Sequence, residues 1–350
     1  MDNLLPPRIS ELQKQAGDIS RQVLRPKAAE VDERCIWPAE SLKVLAELGL
    51  TGLHVPMKLG GQEQGLLALA VVCEALAQGC ASTAICFGMH SVGTAVIVAK
   101  ATPYHEERFL TPIVREGCVA TLALSEPATG SHFYFPQCSL EADGDHFVLN
   151  GDKQFVTSGG QADFYIVSSR ASESGAAGEF NCLVVEKNQP GMEWQAPWRG
   201  FGMRGNSSRG LQLNRVRIPK ANLLGQEGDQ LWYIFEVIAP YFLMAMAGTY
   251  LGIAQAALDF VIDYVKQRPY GHSGKTLAQE SFIPHEISRL WLAVEAARGL
   301  VHRSARLADS GDSEALVPVF MAKVAASEAA TQVCQDGLRL CGGSAYRDNA

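Results

Sequence analysis

The chain has 350 residues, 47% of them hydrophobic and 19% charged, with a formal net charge of −7. This is the balance of a compact globular protein, and the length suits two ordinary domains or one three-part unit around a shared core. The negative charge, with no block of Lys and Arg interleaved with aromatics, argues against nucleic acid as a partner. The N-terminus MDNLLPPRISELQKQ lacks the charged segment, apolar run and small-residue site of a secretory signal, so a cytoplasmic location is expected. The most apolar run, Thr83 to Ala99, is interrupted by His90, Ser91 and two glycines, and reads as a buried helix, not a membrane span. Nine cysteines are scattered without a CxxC pair, which fits a reducing compartment rather than a disulfide framework or zinc site.

From Pro7 to about Val119 the pattern is helical. Ile9, Leu12, Ile19 and Val23 keep close to three-four spacing, and Ala- and Gly-rich helix follows from Leu66 to Ala101. From about Thr121 to Asn222 the texture changes to short β-branched and aromatic runs: Phe147–Leu149, Phe164–Ser168, Cys182–Val185 and Leu211–Ile218. The AspGly at 143–144 and the AsnGly at 150–151 predict hairpin turns in an antiparallel β-domain. Helical periodicity then returns. Ile287, Leu290, Val294, Ala297 and Val301 share a face, while Ala245, Ala247, Gly248 and Gly252 give another helix a thin one. The expected fold is α+β, with an N-terminal all-α domain (1–120), a middle antiparallel β-domain (121–222) and a C-terminal helical bundle (223–350) packed as one body.

No GxGxxG follows an early strand, and GxxxxGK(S/T), HExxH and GxSxG are absent, so a Rossmann or P-loop site, a zincin and a nucleophile elbow are unsupported. What stands out is ALSEPATGSH, Ala123 to His132, where helices give way to the sheet. Pro127 fixes a turn, Gly130 lets backbone approach a ligand, and the hydroxyls of Ser125 and Ser131 suit polar ring edges and phosphate oxygens. Taken by itself the loop names no ligand.

ALSEPATGSH is similar to the signature of the acyl-CoA dehydrogenases, and NGDKQFVTSGG, Asn150 to Gly160, follows at that family's spacing. GMRGNSSRGLQLNRVRIP (202–219), RPYG (268–271) and CGG (341–343) resemble three further family elements, in the right order. The resemblance implies the same helix, sheet, helix architecture, an FAD cofactor, an acyl-CoA or acyl-carrier thioester as substrate, and an acceptor such as an electron-transfer flavoprotein. It assigns Leu124 and Ser125 to the flavin pyrimidine edge and Ser131, beside Gly130, to the pyrophosphate. Phe155 would pack on the isoalloxazine and Thr157 would approach its N5. Arg268, Tyr270, Gly342 and Gly343 would reach the adenosine diphosphate half of FAD bound by a neighbouring subunit, which implies a homodimer or homotetramer.

The resemblance stops short of a catalytic base. The family's usual Glu lies some twenty to thirty residues beyond the GlyGly turn, and its alternative place on the first long C-terminal helix corresponds here to Phe242 and Leu243. Glu236, nearly two turns earlier on that helix, is the candidate within the chain. His90 reads as a satisfied core histidine, and His285 takes the place of a family Gln near the adenine. The segment His132–Pro136 is bulkier and more aromatic than in the family. Dehydrogenation at CH–CH is the expected activity. The alternatives are a reduced-flavin monooxygenase on the same fold and a non-catalytic FAD-binding homologue.

Overall fold

The computed structural model describes residues 5–130, 132–170, 180–229 and 232–346. Helix α1 (Pro7–Ile19) starts on Pro7, where a missing N–H costs nothing, and buries Ile9, Leu12, Ala16 and Ile19 along one face. Short helices α2 (Ala28–Glu33) and α3 (Ala39–Glu47) lead to α4 (Leu66–Ala77) and α5 (Ala81–Ala99). All of α4 is buried, which is why it is apolar apart from Glu74, itself paired with Arg298 at 2.7 Å, and shows no amphipathic stripe. Two short helices, α6 (Pro103–His105) and α7 (Thr111–Arg115), close the first helical layer.

Among the described residues eight strands follow: β1 (Ala120–Ala123), β2 (Ser139–Asp143), β3 (His146–Val156), β4 (Phe164–Arg170), β5 (Phe180–Glu186), β6 (Met192–Trp194), β7 (Arg209–Pro219) and β8 (Leu223–Leu224). They form two four-stranded sheets, ordered β1-β4-β5-β8 and β2-β3-β7-β6. The expected all-antiparallel domain needs one correction. β1 pairs with β4 in parallel, because the chain between them runs out through the second sheet and returns on the same side.

The hairpins also differ in detail. The β2–β3 hairpin turns at Gly144 and Asp145, one residue later than the AspGly pair suggested, since Asp143 still pairs with His146. The AsnGly at 150–151 is not a hairpin at all but an irregularity inside β3. Gly151 sits at φ +139°, and a Cβ there would lie 2.4 Å from Cys138 Sγ, so the glycine permits a close approach within the sheet instead of a chain reversal.

Residues alternate along the first sheet. Ile166 and Val184 join the main core with the helices, while Tyr165, Val167, Leu183 and Val185 face Leu149, Leu211, Leu213 and Val216 in a second core between the sheets. Both faces of β4 are therefore covered, which explains the apolar run Phe164 to Val167 in its first half.

After the sheets a π-helical turn, Tyr233–Ile238, leads into α8 (Ala239–Gln267), followed by α9 (Phe282–Asp309) and α10 (Leu316–Cys341). Pro240 carries no amide N–H, so the regular ladder is interrupted where the π turn ends. Two helical stretches, Ala81–Ala99 and Tyr233–Gln267, are long and apolar enough to cross a membrane, and 89% and 67% of their apolar windows are buried inside the fold. The first contains the run Thr83 to Ala99, read from the sequence as a buried helix.

The thin face of α8 meets α4. A Cβ on Gly248 would lie 2.2 Å from the carbonyl oxygen of Ala70, and one on Gly252 would lie 2.3 Å from that of Glu74. Gly248→Ala is expected to force the two helices apart and to destabilise the protein by about 1–3 kcal/mol. A denaturation midpoint equal to that of the wild type would contradict this.

Candidate active site

The two sequence motifs meet through a buried ion pair. Lys153, fully buried on β3, donates to Glu126 Oε1 (2.6 Å), Ser168 Oγ (3.0 Å) and the Leu124 carbonyl (3.3 Å), so all three of its N–H groups have acceptors. Glu126 also accepts the backbone N–H groups of Gln137 (2.6 Å) and Cys138 (3.2 Å). Burial pushes the Glu126 carboxyl up, but Lys153 and these donors outweigh it and hold the group below the usual carboxylate range. The Gln154 N–H donates to the Ser125 carbonyl at 2.8 Å, which completes the tie between β3 and the loop after β1.

A second convergence lies beside it. Of the eight non-glycine residues at positive φ among the described residues, four are Phe155, Ser158, Met203 and Ser207. Their two segments are joined: Ser158 N donates to Asn206 O (2.9 Å), Gly159 N to Ser207 O (3.0 Å), and Ser207 Oγ to Gly159 O (3.1 Å). Left-handed backbone costs on the order of 1 kcal/mol per residue in such positions, and its concentration at one place marks a functional locus. The result at Phe155 is unusual for a strand: its ring is 64% exposed and stands edge-on to Trp198, 6.5 Å between centroids.

These segments border a cavity of about 580 Å³. Leu124, Ser125, Phe155 and Thr157, four of the residues singled out in the sequence, all line it. Gln154, on β3 beside Phe155, lines it too, as do Trp198, Asn206 and Ser208, which the sequence did not single out because they reach the cavity only through folding of the 198–208 segment against the end of β3. The Trp198 Nε1–H is buried there without a partner among the described residues. Phe133 and Tyr134, from the aromatic segment after the first motif, reach the same cavity. The helical wall comes from α5, the π turn, α8 and α10, and includes Phe235, Phe242, Leu243 and Phe320.

The other sequence candidates lie elsewhere. Gly130 is exposed at φ +52°, and Ser131 falls outside the described residues. Arg268 ends α8 and Gly342 ends α10. A Cβ on Gly342 would be 3.9 Å from the Arg268 guanidinium, and Tyr270 packs with Leu340 and Cys341, so the pair of segments forms one corner distinct from the cavity lining. Gly343 follows in the short 3-10 turn Gly342–Tyr346. Glu236 is exposed and is not a lining residue, whereas its neighbour Phe235 is. No described lining residue carries a carboxylate.

His90 is the core residue its surroundings suggested. Its Nε2 donates to Thr51 O (2.8 Å), its Nδ1 accepts from Ala120 N (3.0 Å), and burial drives its pKa down to about 4. The ring is neutral and ties α5 to the start of β1. His285 is exposed near the start of α9.

Three models of one family match almost the whole chain: the acyl-CoA dehydrogenase N-terminal domain over residues 7–117, the middle domain over 121–216 and the C-terminal domain over 243–350. The chain belongs to the acyl-CoA dehydrogenase family. It is accordingly an FAD-dependent enzyme that dehydrogenates the CH–CH bond of an acyl thioester. Among its relatives is cyclohex-1-ene-1-carbonyl-CoA dehydrogenase of Geobacter metallireducens, 32% identical over 94% of this chain and 86% of the relative. The mitochondrial short-chain specific acyl-CoA dehydrogenase of Homo sapiens is 30% identical over 98% of this chain and 82% of its own length. The solved structure of butyryl-CoA dehydrogenase from Megasphaera elsdenii superposes with a TM-score of 0.92 at 29% identity, covering 100% of this chain and 92% of that one. Its three-part architecture, helices, sheets, helices, is the one described above.

Proposed function

We propose that the 580 Å³ cavity is where this dehydrogenase brings flavin and acyl thioester together, and the observation that carries the reading is Phe155. An aromatic ring held at positive φ and 64% exposed beside a cavity is a costly arrangement in a folded chain, and a planar ring system stacked on it would offset that cost. The donors fit as well. Ser125, Gln154, Thr157 and the unpartnered Trp198 Nε1–H offer polar contacts to the edge of a heterocycle carrying carbonyl oxygens and ring nitrogens. Leu124 and Ser125 bind the flavin pyrimidine edge and Thr157 approaches N5. Gly130 and Ser131 serve the pyrophosphate, and Arg268, Tyr270, Gly342 and Gly343 serve the adenosine diphosphate half from a neighbouring subunit.

FAD, when bound, takes up the hydride leaving the substrate β-carbon. This chain's residues orient the thioester and exclude water. The α-proton needs a carboxylate that the described lining does not provide, and Glu236, exposed and outside the cavity, is poorly sited to supply it.

The division into 1–120, 121–222 and 223–350 assigns flavin and thioester binding to the middle unit and FAD and subunit contacts to the last. A homodimer or homotetramer is supported by the stripe Val317, Phe320, Met321 and Val324, each 45–65% exposed and spaced along one face of α10. Nine free thiols fit a soluble cytoplasmic enzyme, with an electron-transfer flavoprotein as the acceptor class.

Purified protein is expected to show the two-band flavin spectrum or to acquire it on adding FAD, and an acyl-CoA panel is expected to bleach it anaerobically. Bleaching only by an external reductase, with a peroxyflavin band on adding oxygen, would establish the monooxygenase alternative instead.

A further inference from the structure

The left-handed segments that carry one wall of the cavity are tied down by the N-terminal helices. Asp32, near the end of α2, accepts the Arg204 backbone N–H through Oδ1 and the Arg204 Nε–H through Oδ2, both at 2.9 Å. The Trp37 Nε1–H donates to Ser158 Oγ (3.0 Å), and the Gly205 N–H donates to Ser82 Oγ (3.2 Å) at the start of α5. A Cβ on Gly205 would lie 2.4 Å from Val31 Cγ1 and 2.7 Å from the Ile36 carbonyl oxygen, so the turn Arg204–Asn206 is seated directly against the α2–α3 connection. That connection is itself left-handed at Cys35 (φ +52°), and it brings Asp32 and Trp37 to the two joined segments at once.

Neither Asp32 nor Trp37 lines the cavity, so neither touches a ligand there. Their partners stand at the strained places: Arg204 follows Met203 (φ +47°) in the turn that ends at Ser207 (φ +50°), and Ser158 is itself at φ +56°. Left-handed backbone is disfavoured for residues with a Cβ, so such segments relax when the contacts that hold them are removed. Relaxation here would carry Phe155 and Thr157 on one side, and Asn206 and Ser208 on the other, off the cavity wall. Resting on the reading that the flavin occupies this cavity, we propose that Asp32 and Trp37 are positioning residues for the cofactor, holding the two left-handed segments in their binding geometry before FAD arrives. Ordering that is completed in folding does not have to be repeated at binding, and affinity rises accordingly.

The test uses the full chain. Affinity is read by titrating the apoprotein with FAD, and the surroundings of the ring by visible-region circular dichroism of the FAD-saturated protein, a signal that a change in global stability does not move. Asp32→Ala is expected to weaken FAD binding by about tenfold or more, and Trp37→Phe, which removes one N–H and keeps an aromatic ring, by about fivefold, each with an altered dichroism spectrum. Arg108→Ala is the control. It breaks a pair with Glu186 (Nη2 to Oε2, 2.7 Å) that also joins the first helical layer to a sheet but lies off the cavity, and it is expected to keep FAD affinity within about twofold of the wild type with an unchanged spectrum. If Asp32→Ala fails to fold, Trp37→Phe decides alone. Wild-type affinity and spectrum in the Asp32 and Trp37 variants, or the same changes in Arg108→Ala, overturn the positioning role. Phe155→Ala distinguishes this from failure of the flavin placement: an unchanged spectrum in that variant removes the flavin from the cavity, and the positioning role with it.

Discussion

Lys153→Met is expected to destabilise the protein by about 3–5 kcal/mol, because it leaves the Glu126 carboxylate buried without its counter-charge. Methionine fills nearly the same volume, so the loss is electrostatic and not a cavity effect. The change also removes the donor that holds the Leu124 carbonyl and Ser168, and with it the geometry of the loop carrying Ser125. Weaker retention of FAD is therefore expected alongside the lower denaturation midpoint. The double variant Glu126→Gln with Lys153→Met should recover part of the lost stability, since no buried charge remains and the amide oxygen keeps one of the two backbone donors, Gln137 or Cys138. A single variant within about 1 kcal/mol of the wild type would show that the pair contributes little.

Acid is expected to destabilise the fold steeply below pH 6.5 through His54 and His90. Both are buried, and burial, the dominant cause, lowers each from 6.5 to about 4. In the unfolded chain the rings take up protons near pH 6.5, whereas in the folded protein they do so only near pH 4. The contribution of the neutral rings is complete above pH 6.5 and is lost as the pH falls toward 4, by about 3 kcal/mol for each histidine. Glu74 and Glu126, whose carboxyls are held low in the fold despite burial, act in the same direction at the acid end. Urea denaturation at pH 7, 5.5 and 4.5 should show stability falling with a slope close to two protons, and His54→Gln with His90→Gln should flatten it. Equal stability at pH 7 and 4.5 would contradict the assignment.

Much of this site could be read before folding was known, for reasons that differ by residue. Ser125, Phe155 and Thr157 sit in contiguous motifs, and short-range chemistry is written in contiguous residues. Gln154, Asn206 and Ser208 stood within the quoted motifs and Trp198 outside them, but nothing local marked them as lining residues, because the approach of the 198–208 segment to the end of β3 is decided in three dimensions. Glu126 and Lys153 stood within the motifs, yet their meeting 27 positions apart depends on the crossing of β1, β3 and β4.

At the level of fold, hydrophobic periodicity determined the order of helices, sheet and helices and most strand positions, since a helix or strand must present its apolar residues at its own period. The thin face of α8 was also visible, because only small residues allow backbone contact at that range. Periodicity carries no information on strand direction, so the parallel β1–β4 pair and the bulge at Gly151 emerged only in three dimensions. Tertiary structure likewise decided that Glu236 stays outside the cavity while Phe235 enters it. Neighbours on a helix point about 100° apart, and only packing against α5 and the sheets chooses which of them faces inward.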